Sequence, residues 1–134
     1  MKKIQLFSIS IVLLMSSFIC NAQTQKKETT TANQIGAYYF HNTSRCITCI
    51  TVEAEAKADL TNLYGDQVTF KALNLEDDAT KPIAEKLKVS GQTLLIVKGD
   101  QKINMTKEGF LYARTNPEKF KAIIKEKVDG ILDL

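Results

Sequence analysis

The chain has no tryptophan, a single histidine (His41), two prolines and three cysteines among its 134 residues. One histidine excludes a multi-histidine metal centre within one chain. Three cysteines are too few for a small disulfide-stapled scaffold, so the fold must rest on its own hydrophobic core. Neither sign of charge dominates: the formal net charge is +3, and without Lys2 and Lys3 sixteen basic residues face fifteen acidic ones. That balance gives no case for nucleic acid or for an anionic membrane surface as a partner. With 25% charged positions, a chain of this length supports one domain with a modest core.

The first 22 residues carry an export pattern. Lys2-Lys3 is a charged start, 4–19 is an apolar run broken only by Gln5, Ser8, Ser10, Ser16 and Ser17, and Cys20-Asn21-Ala22 ends in the small residue that signal peptidase accepts. Residues 1–22 therefore read as a signal peptide cleaved after Ala22, giving a periplasmic or secreted protein with no membrane attachment. The competing reading is a lipoprotein acylated on Cys20, but lipoprotein signals place a small residue before the cysteine and Ile19 stands there, so plain cleavage is favoured. An uncleaved anchor is disfavoured because the run is short for a bilayer. Residues 23–34 contain only Gln, Thr, Lys, Glu, Ala and Asn, a leader with nothing to bury. The domain occupies 35–134.

Cleavage leaves two cysteines, both in Cys46-Ile47-Thr48-Cys49. Three residues apart at the start of a helix, the two sulfurs share one face and are able to close a small disulfide and open it again. The unpaired N–H groups and the dipole of the helix N-terminus favour an anion there, and Arg45 adds a positive charge next door. Each unit by which a thiol pKa falls is worth about 1.4 kcal/mol of preference for the thiolate. The expected roles are Cys46 as the attacking thiolate and Cys49, one turn further in, as the resolving thiol. The alternatives are a metal-binding pair or a structural staple. No second cysteine pair exists to complete a four-thiolate zinc site, which favours redox chemistry.

Around this motif the apolar pattern alternates between strands and helices. A buried strand is expected over 35–41, then a turn at Asn42-Thr43-Ser44, with Ser44 or Thr43 placed to cap a helix over 45–64. That helix shows two apolar stripes, Ile47, Ile50, Ala54 and Ala58, and Val52, Ala56, Leu60 and Leu63, with Glu53 and Lys57 as an exposed pair. Gly65 ends it. A strand follows over 68–75, a short helix over 79–87 with Pro82 in its first turn, and a central strand over 93–97 marked by Leu94-Leu95-Ile96-Val97. Gly99-Asp100 turns the chain into a half-exposed strand over 101–106. Asn116-Pro117-Glu118 starts the last helix, which buries Phe120, Ile123, Ile124, Val128 and Ile131. The order is strand, helix, strand, helix, strand, strand, helix.

That order, with a Cys-x-x-Cys opening the first long helix, resembles the thioredoxin-like superfamily over 35–131. The resemblance implies an α/β fold, three layers α/β/α around a mixed sheet of about four strands. The run from Tyr38 to Cys49, Tyr-Tyr-Phe-His-Asn-Thr-Ser-Arg-Cys-Ile-Thr-Cys, is similar to a small exported thioredoxin-like family of ArsF type, described as a nitrophenyl compound nitroreductase subunit and associated with organoarsenical resistance clusters. This implies a two-thiol protein working beside a reductase or a trivalent arsenical. Four features depart from the thioredoxin pattern. Gln92 stands where thioredoxins carry a cis-proline facing the disulfide, and a cis bond before a non-proline costs about 2.5–4 kcal/mol, so a trans peptide is expected. Ile47-Thr48 replaces Gly-Pro, Arg45 replaces the tryptophan before the first cysteine, and no acidic residue in 35–45 replaces the buried aspartate that assists the second cysteine.

Gln92 and Thr93 line the site by position. Arg45 and His41 are the candidate thiolate-tuning residues: Arg45 through its fixed charge, His41 because its unperturbed pKa suits proton exchange near neutral pH. The plainer reading of His41 is a strand-end side chain bonded to solvent or a carbonyl. Tyr38, Tyr39 and Phe40 read as core, with one tyrosine available to line the thiol pocket. Three functions follow from these residues. The first is an exported thiol–disulfide oxidoreductase needing no cofactor and serving a dedicated protein redox partner. The second is a protein that holds trivalent arsenic or a soft metal ion between Cys46 and Cys49. The third is an accessory reductase subunit whose disulfide is structural.

Overall fold

The computed structural model describes residues 34–133. The signal peptide, its cleavage after Ala22, the alternative acylation of Cys20 and all of the leader except Gln34 lie outside the described residues. The chain forms β1 (Ile35–His41), α1 (Ile47–Tyr64), a single 3₁₀ turn (Gly65–Gln67), β2 (Val68–Asn74), α2 (Lys81–Leu87), β3 (Thr93–Lys98), β4 (Gln101–Asn104), α3 (Thr106–Tyr112) and α4 (Pro117–Leu132).

The four strands make one mixed sheet in the order β2-β1-β3-β4. β1 pairs with β2 in parallel, as a strand–helix–strand crossover through α1 requires, and antiparallel with β3. β3 and β4 are joined by the two-residue loop Gly99-Asp100, with Lys98 opposite Gln101. The architecture is a three-layer, thioredoxin-like α/β/α fold. Alternation along β1 sends Ile35, Ala37 and Tyr39 into a core shared with Val52, Ala56 and Leu60 of α1 and Phe120, Ile124, Val128 and Ile131 of α4. Phe40 and Leu95 leave the opposite face of the sheet and are buried apart from that core. Burying each large aliphatic or aromatic side chain contributes about 1.5–3 kcal/mol, so this shared core is what holds α1 on the sheet.

Two expectations need correction. Of the two apolar stripes on α1, only the one containing Val52, Ala56 and Leu60 is buried; Ile47 and Ile50 are 62% and 46% exposed, and Ala54 and Ala58 face solvent. A helix on the outer layer of a three-layer fold has one face to bury, and the sheet and α4 take it. The second correction is α3, absent from the seven-element reading. Its seven residues contain Gly109, a poor helix former, and only Gly109 is buried, so no apolar stripe marked it.

The glycine has a packing reason. A Cβ built on Gly109 would lie 2.9 Å from Val52 Cγ1, with Phe120 Cζ behind it at 3.5 Å. α3 thus approaches α1 closely where any side chain would push them apart. At the far end of α1, Gly65 adopts φ 51° and closes the helix by donating its N–H to Thr61 O, a left-handed turn that glycine makes without steric cost.

Gly109→Ala is expected to destabilise the fold by roughly 1–3 kcal/mol through overpacking. Gly130→Ala in α4, where an added Cβ meets nothing within 4 Å, is expected to stabilise it by about 0.5–1 kcal/mol. Urea unfolding of the two variants checks both; a neutral Gly109→Ala contradicts the close contact.

Candidate functional site

The C-terminal end of β1, the N-terminus of α1 and the residue preceding β3 meet at one end of the sheet. Here Cys46 and Cys49 form a disulfide, with their Cα atoms 5.2 Å apart. Cys46 is the N-cap of α1, in extended backbone conformation, and its carbonyl accepts the first helical bond from the Ile50 N–H at 3.1 Å. Its Sγ lies 3.3 Å from the Cys49 N, whose N–H it accepts. A sulfur therefore takes the position that serine or aspartate side chains take at other helix starts. The expected cap at Ser44 or Thr43 is not formed, because the helix begins two residues later and Thr43 is bound elsewhere. Cys46 is exposed, whereas Cys49 is 5% exposed and faces the core.

Thr43 is tied to the end of β2. Its N–H and hydroxyl donate to the two carboxylate oxygens of Glu76 at 3.0 and 2.9 Å, and Asn74 Nδ2 donates to Thr43 Oγ1 at 2.8 Å. The Glu76 N–H in turn donates to Asn74 Oδ1 at 3.0 Å. This network fixes the turn between β1 and Cys46. The backbone N–H of Thr43, followed by its hydroxyl, holds the Glu76 carboxyl below the usual glutamate range.

The residues singled out by position fall as follows. Gln92 reaches the site: its Oε1 lies 3.5 Å from Cys49 Sγ and its Nε2 donates to Tyr39 Oη at 3.0 Å. No peptide bond among the described residues is cis, in line with the expectation at Gln92. Thr93 turns its hydroxyl to Gly91 O at 2.9 Å and opens β3 opposite Phe40. Arg45 forms an ion pair with Glu53, each about three-quarters buried, so Glu53 faces the site and is not the partner of Lys57 that helix spacing offered. His41 shares the sheet face of Tyr39, with ring centroids 6.1 Å apart, and its Nδ1 lies 3.0 Å from the Asn42 carbonyl. A carbonyl only accepts, so Nδ1 carries the proton in that contact.

Tyr39 is the residue the sequence left among several. It is fully buried, and its hydroxyl donates to Cys49 O at 2.9 Å. Burial raises its pKa, partly opposed by the bond from Gln92; the charge of Glu53 raises it further and that of Arg45 lowers it. The signal was available: a buried tyrosine needs a partner for its O–H, and alternation puts Tyr39, unlike Tyr38 and Phe40, on the face that receives α1.

The arrangement supplies an accessible sulfur at a helix N-terminus bonded to a shielded one. Among the described residues no group of three or more His, Cys, Asp or Glu side chains converges, so a metal ion would find the two cysteines as its protein ligands. No family model matches the chain, and no curated protein matches it. Among solved structures, one titled "Structure of a malarial protein" is similar over 71% of this chain and 97% of its own, with 18% identity and a TM-score of 0.48.

Glu76 yields a pH prediction. A carboxyl with a lowered folded pKa contributes stability above its unfolded pKa, and that contribution is lost as pH falls through the folded value. The urea midpoint of the native chain should exceed that of Glu76→Gln at pH 7, and the difference should close on acidification. A difference independent of pH contradicts the assignment.

Proposed function

We propose that this chain is an exported thiol–disulfide oxidoreductase that serves a dedicated redox partner. What carries the reading is the pairing of an exposed Cys46 at a helix N-cap with a buried Cys49 in one disulfide. In the reduced protein the Cys46 thiolate attacks a sulfur of the partner's disulfide. The partner's S–S bond breaks, a Cys46–partner disulfide forms, and one partner sulfur leaves as thiolate. Cys49 then loses its proton and attacks Cys46 Sγ, which re-forms the Cys46–Cys49 bond and releases the second partner sulfur. Two electrons pass from the dithiol to the partner, and the same path in reverse oxidises a partner dithiol.

Three features support the division of labour. The Cys49 N–H and the helix N-terminus lie where a Cys46 thiolate carries its charge. Exposure gives Cys46 access to a macromolecular disulfide, and burial keeps Cys49 from competing for it. The departures at Arg45, Ile47-Thr48 and Gln92 alter the surroundings of the disulfide relative to the thioredoxin pattern, which favours one dedicated partner over many. The resemblance to the ArsF-type family makes a reductase subunit the partner class we favour. It also makes a trivalent arsenical the ligand to test if the dithiol proves not to exchange, through the preference of thiolates for soft ions.

The single-cysteine variants test this. Cys49→Ser should accumulate a mixed disulfide with oxidised glutathione on Cys46, visible by mass, and should capture the partner covalently. Cys46→Ser should form the adduct at least about tenfold more slowly, since its one thiol is shielded. If Cys46→Ser retains the activity of the native protein, the disulfide is structural and the exchange reading fails.

A further inference from the structure

The hydrogen bonds behind the disulfide have a fixed direction. The Tyr39 hydroxyl has one proton, and a carbonyl cannot donate, so the 2.9 Å contact with Cys49 O uses that proton. Tyr39 Oη is then left to accept, which requires the Gln92 amide to present its NH₂ group at 3.0 Å. The same amide must therefore turn its oxygen toward Cys49 Sγ, 3.5 Å away. The orientation of Gln92 is set by the chain of donors that starts from a buried tyrosine, and it delivers an acceptor to the buried sulfur and nothing else.

In the disulfide that sulfur has no proton to give. Reduction changes this: two glutathione thiols give up two electrons and become glutathione disulfide, the Cys46–Cys49 bond breaks, Cys49 takes up one proton, and Cys46 is left as thiolate with the other proton released. The S–H of Cys49 then lies within hydrogen-bond reach of Gln92 Oε1, a weak donor meeting a strong acceptor. A Cys49 thiolate in the same place would set its charge against the lone pairs of the amide oxygen.

We propose that Tyr39 and Gln92 form a clamp that keeps Cys49 protonated in the reduced protein, confining the dithiol's negative charge to the exposed Cys46. The clamp rests on the exchange reading above and adds to it the device that decides which sulfur is the nucleophile. Gln92 is in contact with the sulfur, and Tyr39 acts through Gln92 as a positioning residue. The charged groups around this chain of bonds are Arg45 and Glu53, paired with each other, with His41 beside the Tyr39 ring. None of the three makes a hydrogen bond to either sulfur among the described residues.

The test is an NMR titration of the reduced chain labelled with ¹³C at the cysteine Cβ atoms, which reads the ionisation of each thiol separately. Gln92→Ala should lower the Cys49 pKa by about one unit, a tenfold loss of proton affinity, and leave Cys46 nearly unmoved. Tyr39→Phe should move Cys49 in the same direction by freeing the amide, and the double variant should move it no further than Gln92→Ala alone. Gln92→Glu, with a carboxylate in that place, should raise it. The proposal is overturned if Gln92→Ala leaves Cys49 unchanged, or if it shifts both cysteines equally as a general loosening would. Because the titration involves no partner and no turnover, a shift at Cys49 alongside failed exchange sinks the exchange reading and leaves the clamp standing.

Discussion

The site depends on one hydrogen bond, from the Cys49 N–H to the sulfur of Cys46 across the first turn of α1. A helix N-terminus offers several unpaired N–H groups and a partial positive charge, and no acidic side chain occupies the first turn of this one. The sulfur of Cys46 is what the terminus receives. That placement makes the cap and the exposed sulfur one group, so the forces that hold α1 in place also hold that sulfur at the helix terminus. Those forces come from the face of Val52, Ala56 and Leu60 packed between the sheet and α4, and from the Glu76 carboxylate that pins the preceding turn.

The sheet order explains how a second strand contributes. β3 lies beside β1 and runs antiparallel to it, so the start of β3 meets the end of β1 beneath the helix terminus. Gln92, immediately before β3, is brought to the buried sulfur by that topology, and Tyr39 spans from β1 to the backbone carbonyl of the same cysteine. The two sulfurs consequently sit in unlike surroundings, one exposed and bonded to a backbone N–H, the other buried beside an amide oxygen. Both side chains that the sheet brings to Cys49 here, Gln92 and Tyr39, are neutral.

Much of this was legible in residue spacing. The strand at 35–41, the end of α1 at Gly65, the buried run Leu94-Leu95-Ile96 and the Asn116-Pro117 helix start all rest on local patterns that tertiary contacts reinforce. Spacing also placed Cys46 outside and Cys49 inside. It failed where the cause was non-local. Glu53 pairs with Arg45, eight residues away around a helix start, and not with Lys57 one turn on. Thr43 is drawn to Glu76, in the turn after β2, which removes it from capping. α3 is held by the approach of Gly109 to Val52, a contact that leaves no period in the sequence.

The proposed exchange requires that the Cys46–Cys49 bond be made and broken in use. A redox titration of residues 23–134 against glutathione buffers, with free thiols counted by alkylation and mass, tests it most directly. A bond that turns over should show a potential between about −120 and −270 mV, the span of catalytic dithiols. A bond that stays closed until well below about −300 mV is a structural staple and contradicts it.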